Sequence, residues 1–452
     1  MTVPIGNRSL GLRSRTGGSV AFAVSNYGTH RALVVEIAGN DRGALRPADG
    51  DNLAEAARTA REQRIPLICF VTSSGATVDE GVAAVHGWGT AAREFVACSG
   101  LIPLVFCVTG PTIAGPALLL GLADVVVMVA ETYAFVSGPR MVEHFTGEEV
   151  SNENLGGTAI HARMSGVSHF TVDDRSEADE LIEELLSYLP DHSDQSPPRW
   201  PCTDPVDRAT PEAGDLIPTS PTGSYDVRRV MACLVDDGHL LEPRAEWAPN
   251  LVTALATIGG CPVGMVANQT QSVAGTLDIG ASQKGARFVA FCDSFNLPLV
   301  TLVDTSGFYP GKDLEWRGMI RYGAQLAFAY ARATVPRVCV TLRKSYGGAY
   351  IVMDSRYMGN DLMLAWPSAE IAVMGARGAV EILHRDADSE ERAELEAAYE
   401  ERLLNPYIAA ERGSVDRVIE PAATRAELAS ALDMLAGKRE RLPRRPHDNT
   451  PL

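Results

Sequence analysis

Two glycine-containing turns are the places where the backbone itself could do chemistry. In the first half of the chain an apolar run leads into Ala114-Gly115, and in the second half a similar run leads into Gly348-Ala349. A strand that delivers the chain onto the start of a helix leaves unpaired N–H groups at one point, with the positive end of the helix dipole behind them. Because small residues let a carbonyl oxygen come close, such a turn could form an oxyanion hole for a thioester enolate or a ureido oxygen.

A single turn of this kind is better explained by tight packing of a helix against a strand. Two of them favour a functional role, because the surrounding chain is duplicated as well. The sequence IPLICFVTSSGATVDEG from Ile65 matches LPLVTLVDTSGFYPGKD from Leu297, and the Ser-Gly pairs that end these runs lie 232 residues apart. Gly115 and Gly348 lie 233 residues apart. The sequence therefore predicts one ancestral unit that occurs twice.

Short β-branched runs alternate with Ala-rich helical patterns in both copies. The runs cover 32–38, 66–72 and 103–109 in the first copy and 262–267, 299–304 and 337–342 in the second. This alternation implies crossover connections and a largely parallel sheet, so the predicted fold class is α/β. A generic doubly wound α/β domain would show the same alternation, but it would not show the repeated glycine turn.

The two copies are predicted to be separate domains, 1–190 and 225–452. The segment between them, 191–224, is rich in Pro, Ser, Asp and Thr. Such a composition buries little apolar surface, which is typical of a linker.

Composition limits the partners. The 57 acidic and 40 basic residues give a net charge of −17, which argues against nucleic acid as the main partner. Eight cysteines without a CxxC unit indicate buried thiols in a reducing, cytoplasmic compartment rather than metal ligands, so no metal is expected. The uncharged stretch 101–123 could span a bilayer, but its prolines and glycines favour a buried strand, turn and helix, so no membrane partner is expected. The N-terminus lacks the apolar core of a signal peptide.

Several longer segments carry the motifs of a known family. They read RKSYGGAYIVMDSRYMGNDLMLAWPSAEIAVMGARGAVEILHR from Arg343, DTSGFYPG from Asp304, LLNPYIAAERGSVDRVI from Leu403, WAPN from Trp247, VANQ from Val266 and TGEEVSNENLGGTAIHARMSGVSHF from Thr146. Together they resemble the carboxyltransferase β subunit of biotin-dependent acyl-CoA carboxylases, the propionyl- and acetyl-CoA carboxylase family. The resemblance covers nearly the whole chain from about Glu80 and is densest after Asp226.

The resemblance implies two duplicated crotonase-like domains (the ClpP/crotonase fold) in a ring-shaped homohexamer. It also implies that the N-domain of one subunit holds the acyl-CoA, while the C-domain of another holds biotin on a separate carrier protein that a biotin carboxylase serves. The amides of Gly348 and Ala349 are then expected to bind the biotin ureido oxygen. Carboxybiotin would release CO2, the biotin N1 would remove the α-proton of the acyl-CoA, and the resulting enolate would attack CO2. No side-chain base is needed, which agrees with the absence of a clear catalytic triad.

The first copy departs from the family pattern. The family sequence SGGAR is replaced by SSGAT, with Thr77 in place of arginine, and CAGGAVY is replaced by TIAGPAL, which contains Pro116. Two registers of the first oxyanion hole are therefore open. Donors at Ala114 and Gly115 would leave it intact, whereas donors at Gly115 and Pro116 would leave only one, since proline has no N–H. The first register is favoured, because proline is common at the first position of a helix.

Other residues are assigned to substrate binding. They are Gly75, Ala76, Gly307 and Phe308 after the strands, Tyr350 and Ile351 after the second turn, and Lys284 and Arg287. The two basic residues would share a helix face and could pair with phosphate, although a solvated or intersubunit ion pair fits equally well. Ile351 stands where family members carry Asp or a small or apolar residue, so it implies either an aliphatic acyl pocket or simple packing. Asp304 is expected to be a turn or cap residue rather than a base.

The predicted function is transfer of a carboxyl group from carboxybiotin to the α-carbon of an acyl-CoA. Two alternatives stay open at this point. One is an acyl-CoA decarboxylase or repurposed crotonase that acts on a thioester. The other is a non-catalytic scaffold subunit of a carboxylase complex.

Overall fold

The apolar runs of the sequence form two sheets, one in each of two units of the chain. The computed structural model describes residues 10–11, 18–38, 40–443 and 449–451. The first unit comprises Met1–Pro198 with Pro243–Trp247, and the second comprises Arg199–Glu242 with Ala248–Leu452.

The first unit contains one mostly parallel sheet. Its strands are β1 (Leu10–Gly11), β2 (Val20–Tyr27), β3 (His30–Ile37), β4 (Leu67–Ser73), β5 (Leu104–Ile113), β6 (Val125–Val129), β7 (Ala134–Phe135) and β8 (Phe170–Val172). Its helices are α1 (Asn40–Gly43), α2 (Pro47–Gln63), α3 (Val82–Val96), α4 (Gly115–Leu120), α5 (Pro139–Thr146), α6 (Asn152–Gly156), α7 (Thr158–Ile160) and α8 (Arg175–Ser187). The strand order is β1-β2-β3-β4-β5-β6-β8, and β7 pairs with β5.

The second unit repeats this plan. Its strands are β9 (Leu251–Ile258), β10 (Cys261–Asn268), β11 (Leu299–Thr305), β12 (Arg337–Tyr346), β13 (Leu362–Ala365), β14 (Glu370–Ala372) and β15 (Arg417–Val418). Its helices are α9 (Pro211–Asp215), α10 (Val227–Leu234), α11 (Ile279–Ser294), α12 (Lys312–Trp316), α13 (Met319–Arg332), α14 (Gly347–Val352), α15 (Ala376–Leu383), α16 (Ser389–Tyr399), α17 (Pro406–Glu411) and α18 (Thr424–Met434). The strand order is β15-β13-β12-β11-β10-β9, and β14 pairs with β12.

Strands β2 to β8 of the first sheet correspond one to one with β9 to β15 of the second, and β1 has no counterpart among the described residues. In each, an antiparallel pair (β2 and β3, or β9 and β10) is followed by parallel strands, and a short strand is added to the end of the long central one. Strands β4 and β11 are buried on nearly every residue, as expected for parallel strands that helices cover on both faces. The α/β class predicted from the alternating runs is confirmed.

The register between the two central strands of each sheet shifts just before the glycine turn. In the first unit Val71 pairs with Val108, but the next pair is Ser73 with Thr112, so β5 advances by four residues while β4 advances by two. The same offset occurs between β11 and β12. Such a bulge bends the strand and aims the residues that follow it.

The predicted linker needs a correction. Residues 199–224 of this segment belong to the second unit, and within them helix α9 places Ala213, which is fully buried, in that unit's apolar core. The linker prediction was based on composition, which does not show that buried arginines can bind the backbone carbonyls of this Pro- and Ser-rich segment. One of these arginines, Arg425, donates to the carbonyl of Pro205 at 3.2 Å.

Arg425 holds the segment around Pro205 against the rest of the second unit. Its side chain is 0% exposed, donates to the Leu234 carbonyl at 2.8 Å and pairs with the Asp236 carboxylate at 2.6 Å. Asp236 in turn accepts from the N–H groups of Gly259 and Gly260 at 2.9 and 2.7 Å. Although burial opposes its ionisation, these hydrogen bonds and Arg425 hold the pKa of Asp236 below its usual range.

We expect Arg425→Leu to destabilise the second unit strongly. The substitution leaves a buried carboxylate without its charged partner, a change that costs about 3–5 kcal/mol. Urea and thermal midpoints at fixed protein concentration measure the effect. The matched control is Arg377→Leu, because the Arg377–Glu381 pair is exposed on α15 and such pairs contribute about 0–1 kcal/mol. Equal midpoints for the two variants would contradict this account of Arg425.

Candidate active site

In the second unit, two strand ends bring the predicted residues together. Strand β11 is followed by Ser306-Gly307-Phe308, and its parallel neighbour β12 is followed by Gly347-Gly348. A Cβ atom added to Gly348 would lie 3.4 Å from the Phe308 ring, so the two turns are in contact. The carboxyl ends of neighbouring parallel strands are the usual place for a ligand in an α/β sheet.

Helix α14 starts at this contact. Gly347 has a φ of +59°, a left-handed conformation that glycine adopts readily, and it turns the chain from β12 into the helix. The next N–H groups, those of Gly348 and Ala349, lie in the first turn, where no carbonyl of the helix can accept them. They are thus two backbone N–H groups without a helix partner, and their role as ligand donors stays a prediction.

Phe308 adds a third donor. The carbonyl of Gly307 accepts from the Leu277 N–H at 3.0 Å, and the Tyr309 N–H donates to the Leu277 carbonyl at 2.8 Å. Because successive N–H groups of an extended chain point to opposite sides, the Phe308 N–H points away from Leu277.

The first unit repeats this geometry. The Leu45 N–H donates to the Gly75 carbonyl at 2.8 Å, and the Thr77 N–H donates to the Leu45 carbonyl at 2.9 Å, so the Ala76 N–H points away from Leu45. A Cβ atom added to Gly75 would lie 3.5 Å from the Cβ atom of Ala114, which places the two turns of this unit side by side.

The structure corrects the prediction that the Ala114 N–H is a free donor. Its N–H donates to the Phe135 carbonyl at 3.0 Å, so the sheet already uses this group. Ala114 has φ 59° and ψ −127°, and its φ matches that of Gly347 in the second unit. An alanine held in this way costs roughly 1–3 kcal/mol, and the pairing with β7 maintains it.

The two turns correspond residue by residue. Ala114 corresponds to Gly347, Gly115 to Gly348, and Pro116 to Ala349, each 233 residues apart. The register favoured from the sequence is therefore wrong, and helix α4 offers the N–H of Gly115 but none at Pro116. Within the described part of the chain, the N–H groups of Gly115 and Ala76 donate no hydrogen bond.

Trp88 of α3 is a neighbour of this turn that the sequence did not single out. A Cβ atom added to Gly115 would lie 2.9 to 3.0 Å from atoms of its indole ring. Only glycine therefore fits at position 115 without moving the ring. The signal in the sequence was a large aromatic residue between two glycines of α3, Gly87 and Gly89.

An apolar cavity of about 550 Å³ adjoins the second turn. Gly348, Tyr350 and Ile351 line it on the side of the turn, and Ile371, Val373 and Leu403 are among the apolar residues opposite. Burial raises the pKa of the Tyr350 hydroxyl, which therefore stays protonated at neutral pH. The cavity thus presents a mostly apolar wall beside the Gly348 donors, and Arg412 also lines it.

One predicted binding residue is not placed as expected, while the assignment of its helix neighbour Arg287 stays a prediction. Lys284 of α11 is only 1% exposed, so its ammonium group lies inside the unit and cannot bind a phosphate at the surface. Arg287, on the same helix, is partly buried. Asp304 is no base either, because its carboxylate, 2% exposed, pairs with Arg343 at 3.0 Å.

The described residues contain no group of three or more His, Cys, Asp or Glu side chains placed to hold a metal ion. All eight cysteines are free thiols. Burial raises the pKa of Cys98 to about 11 and that of Cys107 to about 12, so neither is a thiolate nucleophile at neutral pH. No helix in the described part of the chain is long and apolar enough to cross a membrane.

Comparison with known proteins agrees with this geometry. Residues 18–450 match the family model described as a carboxyl transferase domain. The propionyl-CoA carboxylase beta chain of Saccharopolyspora erythraea is 45% identical over 429 residues, which cover 91% of this chain and 79% of that protein. The methylmalonyl-CoA carboxyltransferase 12S subunit of Propionibacterium freudenreichii subsp. shermanii is 40% identical over 95% of this chain and 83% of that protein.

A solved structure extends the agreement to the fold. Transcarboxylase 12S, a hexamer crystallised with methylmalonyl-coenzyme A and methylmalonic acid, matches with a TM-score of 0.93 at 39% identity, over 96% of this chain and 85% of that one. The two corresponding sheets are thus the duplicated crotonase-like domains that the motifs implied. Agreement at this level, in sequence and in structure, shows that the chain belongs to the carboxyl transferase family, as a carboxyltransferase subunit of the propionyl- and acyl-CoA carboxylase group.

Proposed function

We propose that this chain transfers a carboxyl group from carboxybiotin to the α-carbon of an acyl-CoA. The observation that carries the proposal is the repeated turn: in each unit a bulged strand pair brings two turns side by side, with backbone N–H groups that have no partner in the described part of the chain. In the second unit these donors are Phe308, Gly348 and Ala349, and in the first they are Ala76 and Gly115. A neutral carbonyl that gains negative charge during reaction is what such donors stabilise.

The second turn fits biotin. The ureido ring is uncharged and carries one carbonyl oxygen, so it needs N–H donors and an apolar wall rather than a countercharge. The Gly348 and Ala349 amides supply the donors, and the cavity beside them supplies the wall. When bound, carboxybiotin would bring the carboxyl group and a nitrogen that accepts the α-proton. The residues of this chain would hold the ureido oxygen and exclude water.

The first turn then takes the acyl-CoA. The Gly115 and Ala76 amides would bind the thioester oxygen as the α-proton leaves, when that oxygen becomes an enolate. Ile351, which is 37% exposed at the cavity of the second unit, presents an apolar surface suited to an aliphatic acyl group. A short, uncharged acyl chain is therefore the proposed substrate class.

The partners follow from the reaction. A biotinylated carrier must deliver carboxybiotin and a biotin carboxylase must form it, and we propose both as separate subunits. We propose a hexamer in which different subunits supply the two turns, since a hexamer is also described for transcarboxylase 12S. The eight free cysteines support a reducing, cytoplasmic location.

Reconstitution tests the function. The chain is mixed with a biotin carboxylase, its biotinylated carrier, ATP and bicarbonate, and a panel of acyl-CoAs is assayed for ATP-dependent carboxylation while light scattering reports the assembly. We expect carboxylated product from short aliphatic acyl-CoAs and a mass near six chains. Loss of CO2 from malonyl-CoA without any biotin would instead indicate a decarboxylase, and carrier binding without turnover would indicate a scaffold.

Pro116→Ala tests the first turn. The substitution adds an N–H at the second position of α4, where Ala349 has one in the second unit. We expect turnover to change by less than about threefold, because Gly115 and Ala76 already provide two donors, the number that forms an oxyanion hole. The readout is kcat for acyl-CoA carboxylation in the reconstituted complex. A gain of tenfold or more would contradict this pair and show that Pro116 has removed a needed donor.

A further inference from the structure

The offset between β11 and β12 is held by a buried ionic cluster. Val303 pairs with Thr341 and Thr305 pairs with Ser345, so β12 must accommodate two extra residues opposite Asp304. An N–H group in such a bulge loses its partner in the strand ladder. The side chain of Asp304 replaces that partner, since one carboxylate oxygen accepts from the Lys344 N–H at 3.1 Å.

The second carboxylate oxygen of Asp304 carries two more bonds. It accepts from Nε of Arg343 at 3.0 Å and from the hydroxyl of Tyr225 at 2.9 Å. Burial, with Asp304 nearby, raises the pKa of Tyr225 well above its usual range, so this hydroxyl remains a donor. Asp304 therefore joins three parts of the unit: β11, the bulge of β12, and the segment that contains Tyr225.

Arg343 extends this cluster to the segment before α10. Arg343 is 6% exposed, and its two terminal nitrogens donate to the carbonyls of Ser220 at 3.2 Å and Gly223 at 2.9 Å. All three guanidinium nitrogens of Arg343 thus donate hydrogen bonds, and the single ammonium group of a lysine could not reproduce this planar arrangement. The residues 220–223 are held against the strand five residues before Gly348.

The first unit has the same register offset, but no ionised side chain stands at the corresponding positions. Thr72 stands in place of Asp304, and its hydroxyl lies 3.1 Å from that of Thr109. Pro111 stands in place of Lys344 and has no N–H that would need an acceptor. Gly110 stands in place of Arg343, where a Cβ atom would lie 2.7 Å from Thr72. The bulge can therefore form without an arginine, so folding of the sheet alone does not explain Arg343.

We propose that Arg343 is a positioning residue for the second turn. Through Asp304 it fixes β12 against β11, and so fixes the spacing between the Phe308 and Gly348 N–H groups. Through Ser220 and Gly223 it prevents the bulge from relaxing. This role rests on the proposed function of the Gly348 turn in binding the ureido oxygen.

The test uses the whole oligomer and biocytin as a free acceptor, with malonyl-CoA or methylmalonyl-CoA as carboxyl donor. In Arg343→Lys we expect kcat to fall by about 10- to 100-fold, because a displacement near 1 Å can cost 10²-fold. KM for biocytin should rise about tenfold, while KM for the CoA ester stays within twofold. The peptide 343–352 should also exchange its amide hydrogens faster. Arg377→Lys, on exposed α15, should behave as wild type.

The outcomes separate the two proposals. A wild-type chain that transfers no carboxyl group to biocytin from either ester overturns the proposed function. An active wild type with an equally active Arg343→Lys overturns the positioning role alone, and so does a parallel rise of both KM values. If Arg343→Lys does not assemble, Tyr225→Phe removes one bond from Asp304 and keeps the ion pair. It should raise KM for biocytin about threefold, and an unchanged KM would again overturn the role.

Discussion

Replacing Gly348 by proline should lower carboxyl transfer by roughly 10²–10³-fold. The substitution deletes one backbone donor of the second turn, and oxyanion donors are worth about 2.7–4 kcal/mol of transition-state stabilisation. Position 348 lies in the first turn of α14, where no intrahelical bond depends on its N–H, so the helix itself tolerates proline. The loss should appear in kcat with biocytin as acceptor, measured on the assembled protein.

Gly348→Ala is the matched control, because it changes the side chain and keeps the N–H. The added Cβ would lie 3.4 Å from the Phe308 ring, an ordinary contact, so activity should stay within about threefold of wild type. If the proline variant assembles and keeps full activity, the Gly348 amide is not a donor. If alanine and proline reduce activity equally, space at the turn matters rather than the amide.

The second turn could be predicted because its signals are local in the sequence. Gly347 supplies the left-handed residue, Gly348 and Ala349 follow within one helical turn, and the strand before them contains the mostly apolar run 338–342. The repeat was visible for the same reason, since Ser-Gly pairs and turns keep their spacing in both copies. Duplicated α/β architecture follows from these patterns without any tertiary information.

The first turn could not be predicted in the same way. Whether Ala114 offers its N–H depends on the Phe135 carbonyl, which lies on the two-residue strand β7. A strand of that length has no periodicity to read, so its pairing is decided by the sheet around it. Lys284 failed for a related reason: its spacing from Arg287 indicates a shared helix face, but spacing does not say whether that face is buried.

The ionic cluster shows what chemistry adds beyond pattern. The same bulge occurs in both units with different residues. Thr72 and Pro111 occupy it in the first unit, whereas in the second the Asp304 carboxylate accepts from a backbone N–H. A buried ion pair is weak evidence for stability, because its desolvation cost offsets the attraction. Retaining one beside the Gly348 turn, when the other copy does without, is better explained by the need to fix donor positions.

Replacing Ala76 by proline should reduce carboxyl transfer about as strongly as the change at Gly348, by roughly 10²–10³-fold. The substitution removes one of the two N–H groups of the first turn. Position 76 has no left-handed φ, and its N–H is bonded to no group in the described part of the chain, so proline costs the fold no hydrogen bond. The bonds of Leu45 to Gly75 and Thr77 on either side do not involve this N–H.

Comparison of the two substrates decides whether Ala76 acts on the acyl-CoA side. In Ala76→Pro, kcat should fall while KM for biocytin stays within about twofold, because the donors of the second unit are untouched. Ala76→Gly keeps the N–H and should retain at least about a third of the activity, the remaining loss reflecting added backbone freedom. Full activity of the proline variant would leave Gly115 as the lone donor of the first turn. The first unit would then have to bind the thioester oxygen with a single amide, and Pro116→Ala would be expected to increase turnover after all.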